Sequence, residues 1–229
     1  MLQCCGIKMQ NSSFFKRLDK NAEASVFLLI APAIGRTFFS YVRSARLLPG
    51  HIGCICIAES IYDLTSLSLI ESTFNEQLDD FRSNPQFFVI GHCGGNSLAQ
   101  FICSSSSVKD QILGLIMVDV YPKESESLKV KKDIKTNQSL LTNTASLNQS
   151  DAELASFRFF NAVNLAPSLE KPVNHIPTYI ISDLNNYDFP EIQKTHSDIR
   201  SIVYTEHSLE VIKPEVVDMI LKIIQNHQF

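Results

Sequence analysis

From about residue 26 onward the sequence alternates short β-rich apolar runs with longer amphipathic segments, the pattern of a mostly parallel sheet covered by helices. The runs are VFLLIA (26–31), IGCICIA (52–58), FFVIG (87–91), ILGLIMVD (112–119), TYIIS (178–182) and RSIVYT (200–205). Between the second and third, Leu67, Ile70, Phe74, Leu78 and Phe81 recur at spacings of three and four, which predicts a helix with one buried face. Asn84-Pro85 stops it. Near the end, Pro214 takes a first helical position, and Val216, Val217, Ile220, Ile223 and Ile224 form an inward stripe that closes the sheet. With 229 residues the chain can bury one full core and hardly two, so a single α/β domain over 1–229 is expected.

Charge and hydropathy remove several classes of function. A formal net charge of −4 and a pI near 5.9 provide no basic field for a polyphosphate, so no nucleic-acid partner is expected. The longest apolar stretch, Val26 to Ile34, is about half of what a spanning helix needs, so no membrane span is expected. The start, MLQCCGIKMQNSSFFKRL, lacks the charged opening and unbroken apolar run of a signal peptide, which makes the cytoplasm the expected compartment. There, disulfides among Cys4, Cys5, Cys54, Cys56, Cys93 and Cys103 are not expected. No C-x-x-C pair or second cluster supports a metal site. Cys54 and Cys56 share a face of an apolar strand and read as small hydrophobes. Only Cys93 has a setting that calls for chemistry.

One stretch breaks the alternation. From Tyr121 to about Pro172 the chain is polar, with a Ser/Thr/Asn-rich run, TNQSLLTNTASLNQS, and then a capping-box pattern at Ser150 and Glu153 ahead of LASFRFFNAV. An insert of that size between core strands is more often functional than accidental, and residues of about 122–172 are read as a lid. Lys123, Lys129, Lys131, Lys132 and Lys135 cluster at its start, as a solvated loop or a docking surface for an acidic partner.

The most informative segment is FFVIGHCGGNSLAQFI, which places G-x-C-x-G, Gly91 to Gly95, between a buried strand and a helix. This is a nucleophile elbow with cysteine in the serine position. The turn needs small neighbours so that strand and helix can pack closely, and the following helix aims its positive end at the sulfur and favours the thiolate. An elbow also predicts where its partners lie. Carboxyl ends of parallel strands share one edge, so the next strand should end beside Cys93, and it ends at Asp119. Asp183, after the following strand, is the competing acid. The histidine should come from the loop after the last strand, where His207 stands in VYTEHSLEV. His51, His175, His196 and His227 lack that strand-end logic, and His92 is expected to pack under the turn.

FLLIAPAIGRTFFSYVRSARLLPG, IGHCGGNSLA, LIMVDVYPK and the histidine segment together resemble the thioesterase domains that release products from nonribosomal peptide and polyketide synthases, within the α/β-hydrolase superfamily. The resemblance runs from about Phe14 to Ile224. It implies an α/β-hydrolase fold and a Cys93–His207–Asp119 triad, since in that family the acid commonly follows the strand after the nucleophile. It also implies backbone oxyanion donors at Ala33 and Gly94. The expected substrate is an acyl or peptidyl chain presented on the phosphopantetheine of an acyl or peptidyl carrier protein, with no cofactor bound by the chain itself. The departure is Cys93, where most members carry serine.

Two other readings compete. GGNSL (94–98) resembles the pantetheine attachment motif of carrier modules, with Ser97 modified, but its neighbours FFVI and ILGLIMV are strand-like and carriers are all-helical. A cysteine-triad hydrolase of small esters or lactones would share the whole triad.

Overall fold

Each apolar run of the sequence forms a strand, and from β2 to β6 alternate residues enter separate hydrophobic layers on either side of one sheet. The structure is a computed structural model, and it describes residues 14–19, 24–34, 36–78, 86–105, 109–119, 172–183, 198–205 and 213–227, with helical positions between Leu154 and Leu169. The strands are β1 (Phe15–Arg17), β2 (Val26–Ala31), β3 (Ile52–Ile57), β4 (Gln86–His92), β5 (Ile112–Val118), β6 (Thr178–Asp183) and β7 (Ile199–Thr205). They form one sheet in the order β1-β3-β2-β4-β5-β6-β7, and every pairing is parallel except β1 with β3.

Strand parity assigns the layers. Phe27, Leu29 and Ala31 of β2, with Phe87 and Val89 of β4 and Leu115 and Met117 of β5, face α2 (Leu67–Leu78) and α3 (Asn96–Ser105). Their neighbours Leu28, Ile30, Phe88, Ile90, Ile116 and Val118 face the short α1 (Val42–Ala45) and the final α4 (Pro214–His227). In α4 the buried residues are the expected stripe, Val216, Val217, Ile220, Ile223 and Ile224. In α2 the stripe is anchored by Ile70 and Phe74, while Phe81 and Asn84-Pro85 lie outside the described residues.

Strand β1 is absent from the sequence reading, because three residues are too few to show a period. It is held from outside itself. The Asp19 carboxylate accepts the Cys54 N–H, and Leu18 donates its N–H to the Cys54 carbonyl at 2.9 Å. Phe15 enters the core against Phe74, ring centroids 5.4 Å apart and nearly perpendicular.

The stretch read as a lid is described only in its second half. The described positions between Leu154 and Leu169 are helical, and Ala162 and Leu169, with Val173 and Ile176 just beyond, are buried in the α2–α3 layer. Arg158 grips both carboxylate oxygens of Asp63 at 2.7 Å, and Asn161 Nδ2 donates to the carbonyls of Tyr62 and Leu64. This half is therefore fastened beyond the carboxyl end of β3, with a bidentate ion pair and buried apolar contacts. Lys123 to Lys135 and the Ser150–Glu153 pattern lie outside the described residues.

Phe74 joins Phe15 to Phe101, whose centroid is 6.3 Å away, and is 2% exposed. Phe74→Ala should cost about 3–5 kcal/mol, measured by urea unfolding, since both rings lose their partner and the space cannot collapse.

Candidate active site

The site is assembled by chain direction. β2 and β4 lie side by side in register from Val26↔Gln86 to Ala31↔Gly91, yet the chain leaves β2 toward α1 on one face and leaves β4 toward α3 on the other. A crevice opens between the two exits, at the carboxyl edge of the sheet, and open α/β sheets use such a switch point for binding.

Cys93 stands at that edge. It is the first residue of a short 3-10 turn, Cys93–Gly95, that leads directly into α3, and its φ is 51°. A left-handed backbone at a residue with a Cβ is unfavourable and persists only where the surroundings enforce it. Here they do. A Cβ on Gly95 would stand 2.3 Å from the Ala31 carbonyl oxygen and 2.4 Å from that of Pro32, and one on Gly91 would stand 2.7 Å from the Asn96 Cα. The turn is therefore clamped between the end of β2 and the start of α3, leaving the Cys93 side chain part-exposed at the amino end of a ten-residue helix. The other described cysteines differ in kind. Burial pushes the thiols of Cys54, Cys56 and Cys103 up, which keeps them protonated and inert at neutral pH.

Asp119 emerges beside Cys93. His92 and Val118 are cross-strand partners on β4 and β5, so the two next residues leave adjacent strands at the same level, about 4.8 Å apart in the ladder direction. Asp119 also has a positive φ, 56°, and is 6% exposed. Its N–H donates to the Ile181 carbonyl of β6 at 2.8 Å, and the preceding Val118 carbonyl accepts from Asn96 Nδ2 at 3.3 Å. Two neighbouring strands and the elbow helix thus hold the residue whose backbone bends back. Asp183 ends β6, one strand further from Cys93, and nothing of its side chain is described. His207 lies outside the described residues.

A buried polar bridge runs beneath the elbow. The Ala33 N–H donates to the Tyr41 hydroxyl at 2.8 Å, and that hydroxyl lies 2.9 Å from Nδ1 of His92. Both side chains are 1% exposed, with their rings edge to face. Burial pushes the Tyr41 phenol up, so it stays protonated. His92 packs under the turn as its position implies, with Nδ1 committed to the phenol. The Ala33 N–H, assigned to the oxyanion by the family resemblance, is directed into the interior here. The next amide along, that of Ile34, makes no hydrogen bond among the described residues. This bridge is not legible in the sequence, since nothing in RTFFSYV separates Tyr41 from Phe38 and Phe39.

Ser97 is 6% exposed inside α3 of a sheet-based domain. A pantetheine attachment serine must be presented to a transferase on a small helical module, so the carrier reading is corrected: GGNSL is the start of the elbow helix.

Among solved structures, the Vlm2 thioesterase domain bound with a dodecadepsipeptide superposes with a TM-score of 0.67 at 15% identity, covering 93% of this chain and 97% of that one. SrfTE, the thioesterase domain described for cyclization of the lipopeptide antibiotic surfactin, gives 0.66 at 12% identity over 94% and 98%. YbtT, a type II thioesterase from the yersiniabactin NRPS/PKS pathway, gives 0.67 at 12% identity over 94% and 98%. No protein-family model matches the chain, and no curated protein matches it in sequence. At these identities the likeness establishes the fold, which is that of the α/β-hydrolases.

The clamp on the elbow sets an asymmetry between glycines. Gly95→Ala forces a methyl into two carbonyl oxygens and should cost about 3 kcal/mol or more, while Gly50→Ala, with nothing within 4 Å of its Cβ, should stay within about 0.5 kcal/mol of wild type. Thermal or urea unfolding of the two variants checks the contrast.

Proposed function

We propose that this chain is a thioesterase or acyltransferase that takes an acyl or peptidyl group from a pantetheine thioester onto Cys93 and releases it to water, an amine or a hydroxyl. The observation that carries the reading is the pairing of two strained strand ends: Cys93 on a left-handed elbow before α3, and Asp119 on the adjacent strand with the same backbone hand. His207 follows the end of β7 by two residues and supplies the base.

The chemistry runs in two steps. His207 takes the thiol proton of Cys93, and the sulfur attacks the thioester carbonyl as Asp119 orients the imidazole and offsets its positive charge. The tetrahedral oxyanion is met by two backbone N–H groups. One belongs to Gly94, in the first turn of a helical segment whose leading amides have no internal partner. The other is assigned to Ile34, since the Ala33 amide is spent on Tyr41. The C–S bond to pantetheine then breaks, and His207 returns its proton to the leaving thiol. In the second step His207 deprotonates the incoming nucleophile, which displaces Cys93 from the acyl group. An acyl or peptidyl carrier protein presents the substrate, and assembly of nonribosomal peptides or polyketides is the setting that the neighbours' chemistry supports: a dodecadepsipeptide in Vlm2, lipopeptide cyclization in SrfTE and an NRPS/PKS pathway for YbtT.

Incubation with an acyl-pantetheine mimic should add the acyl mass to the intact protein, and peptide mapping should place it on Cys93. Labelling that survives Cys93→Ala sinks the proposal. Asp119→Asn should slow acylation on the order of 10⁴-fold, because the imidazole loses its orienting partner, whereas Asp183→Asn should cost far less. The reverse ranking moves the acid to β6. Inert carrier-linked thioesters together with rapid turnover of small esters or lactones would favour the simple hydrolase instead.

The cysteine has a chemical consequence of its own. Transfer from pantetheine to Cys93 exchanges one thioester for another, so the acyl group keeps its activation for a demanding second step. An oxoester on serine is less reactive. Wild type should form an amide or a strained cyclic product, whereas Cys93→Ser should acylate and then stall or hydrolyse. Identical product ratios for the two variants on one substrate would leave the thiol without a special role.

A further inference from the structure

We propose that Tyr41 is the positioning residue of the oxyanion site, tying the turn after β2 to the residue before the nucleophile so that the Ile34 N–H is presented alongside that of Gly94. The inference rests on the thioester reading of Cys93 and deepens it.

The argument begins with proton counting. A phenol has one proton to give and accepts through its oxygen. The Ala33 amide can only donate, and it donates to the Tyr41 oxygen at 2.8 Å. Nδ1 of His92, 2.9 Å away, is the one acceptor within reach of the phenol proton among the described residues, and satisfying that proton makes the nitrogen an acceptor. This direction corresponds to the His92 tautomer that carries its proton on Nε2. The direction that satisfies every member runs from amide to phenol to imidazole, and reversing the last step would leave the buried phenol proton without an acceptor among the described residues.

The ends of this bridge are the two sides of the reaction centre. Ala33 opens the turn that the Arg36 N–H closes on the Ala33 carbonyl at 2.9 Å, and His92 is bonded through the chain to Cys93. The turn also touches the elbow directly. A Cβ on Gly94 would stand 2.5 Å from Ile34 Cδ1, so the Ile34 side chain fills the space that a larger residue after the nucleophile would take. With Ala33 drawn inward and the Ile34 side chain laid over Gly94, the turn has little freedom, and the Ile34 amide makes no hydrogen bond among the described residues. An oxyanion site works through such preorganisation, since donors already in place need not reorganise as charge develops.

Tyr41→Phe removes the bridge and keeps the ring. In the full-length protein it should lower kcat for thioester turnover by about 10–100-fold with KM within about twofold, as expected when a donor is displaced by a fraction of an ångström. Affinity for an acyl aldehyde, which adds to Cys93 as a hemithioacetal with an oxyanion-like oxygen, should fall by a similar factor. Alkylation of Cys93 by iodoacetamide develops no such oxygen, so its rate should not change. A separate readout is nitrogen-15 NMR of His92 in wild type, which should show a neutral ring protonated at Nε2. Equal losses in turnover and alkylation would mean that Tyr41 only supports the elbow, and a His92 protonated at Nδ1 would break the bridge itself; either overturns the proposal. Wild type that alkylates but forms neither acyl-enzyme nor hemithioacetal refutes the thioester reading and the oxyanion role with it. Wild type that forms both, with Tyr41→Phe unchanged, refutes the role of Tyr41 alone.

Discussion

Parallel pairing of β2 with β4 is the constraint on which the rest depends. Its register ends at Ala31↔Gly91, so the segment after β2 and the elbow after β4 leave the sheet at one level, and the β3 excursion sends them to opposite faces. Nothing about Cys93 as an isolated residue would place the turn after β2 beside it. The crossing order does, and it follows from packing: short apolar strands buried on both faces, joined by helices too long for hairpins, allow parallel neighbours and their handed crossovers.

That frame also explains how two strained backbones coexist at adjacent strand ends. A left-handed conformation at a residue with a Cβ costs on the order of 1–2 kcal/mol, and both Cys93 and Asp119 adopt it. Each is held by contacts that a relaxed backbone would lose. Cys93 is caught between the Ala31–Pro32 carbonyls and α3, and Asp119 between the Ile181 carbonyl and the Asn96 contact to Val118. Asn96 belongs to both anchorages, since its backbone starts the elbow helix and its amide reaches the strand that carries the acid. The two ends are therefore mechanically linked.

How much of this was legible in the sequence depended on the range of the interaction involved. The strands at 26–31 and 112–118 match their runs closely because burial on both faces writes itself into consecutive residues. The elbow was legible because its sterics demand glycine at fixed spacing. Asp119 was legible from topology, one helix and one strand beyond Cys93. β1 was not, since its three residues owe their place to Cys54 and Phe74 far along the chain. Nor was the Ala33 N–H bond to Tyr41. A backbone amide's direction leaves no trace in residue type, and here it is set by a phenol eight residues on whose neighbours are equally aromatic.

Sheet polarity narrows the choice of base without reference to any family. His51 precedes β3, and His175 precedes β6, so both belong to the amino edge, opposite Cys93. His227 ends α4 with Nδ1 3.1 Å from the Tyr179 hydroxyl and its ring against Phe88, again away from the carboxyl edge. His92 is close in sequence but has given Nδ1 to Tyr41 and sits beneath the turn. His196 comes shortly before β7, which the chain enters at the amino edge. His207 stands two residues after Thr205, the carboxyl end of β7, and that end lies at the same sheet edge as the ends of β4 and β5. The strand direction that favours His207 as the proposed base is the same one that brings Asp119 alongside Cys93.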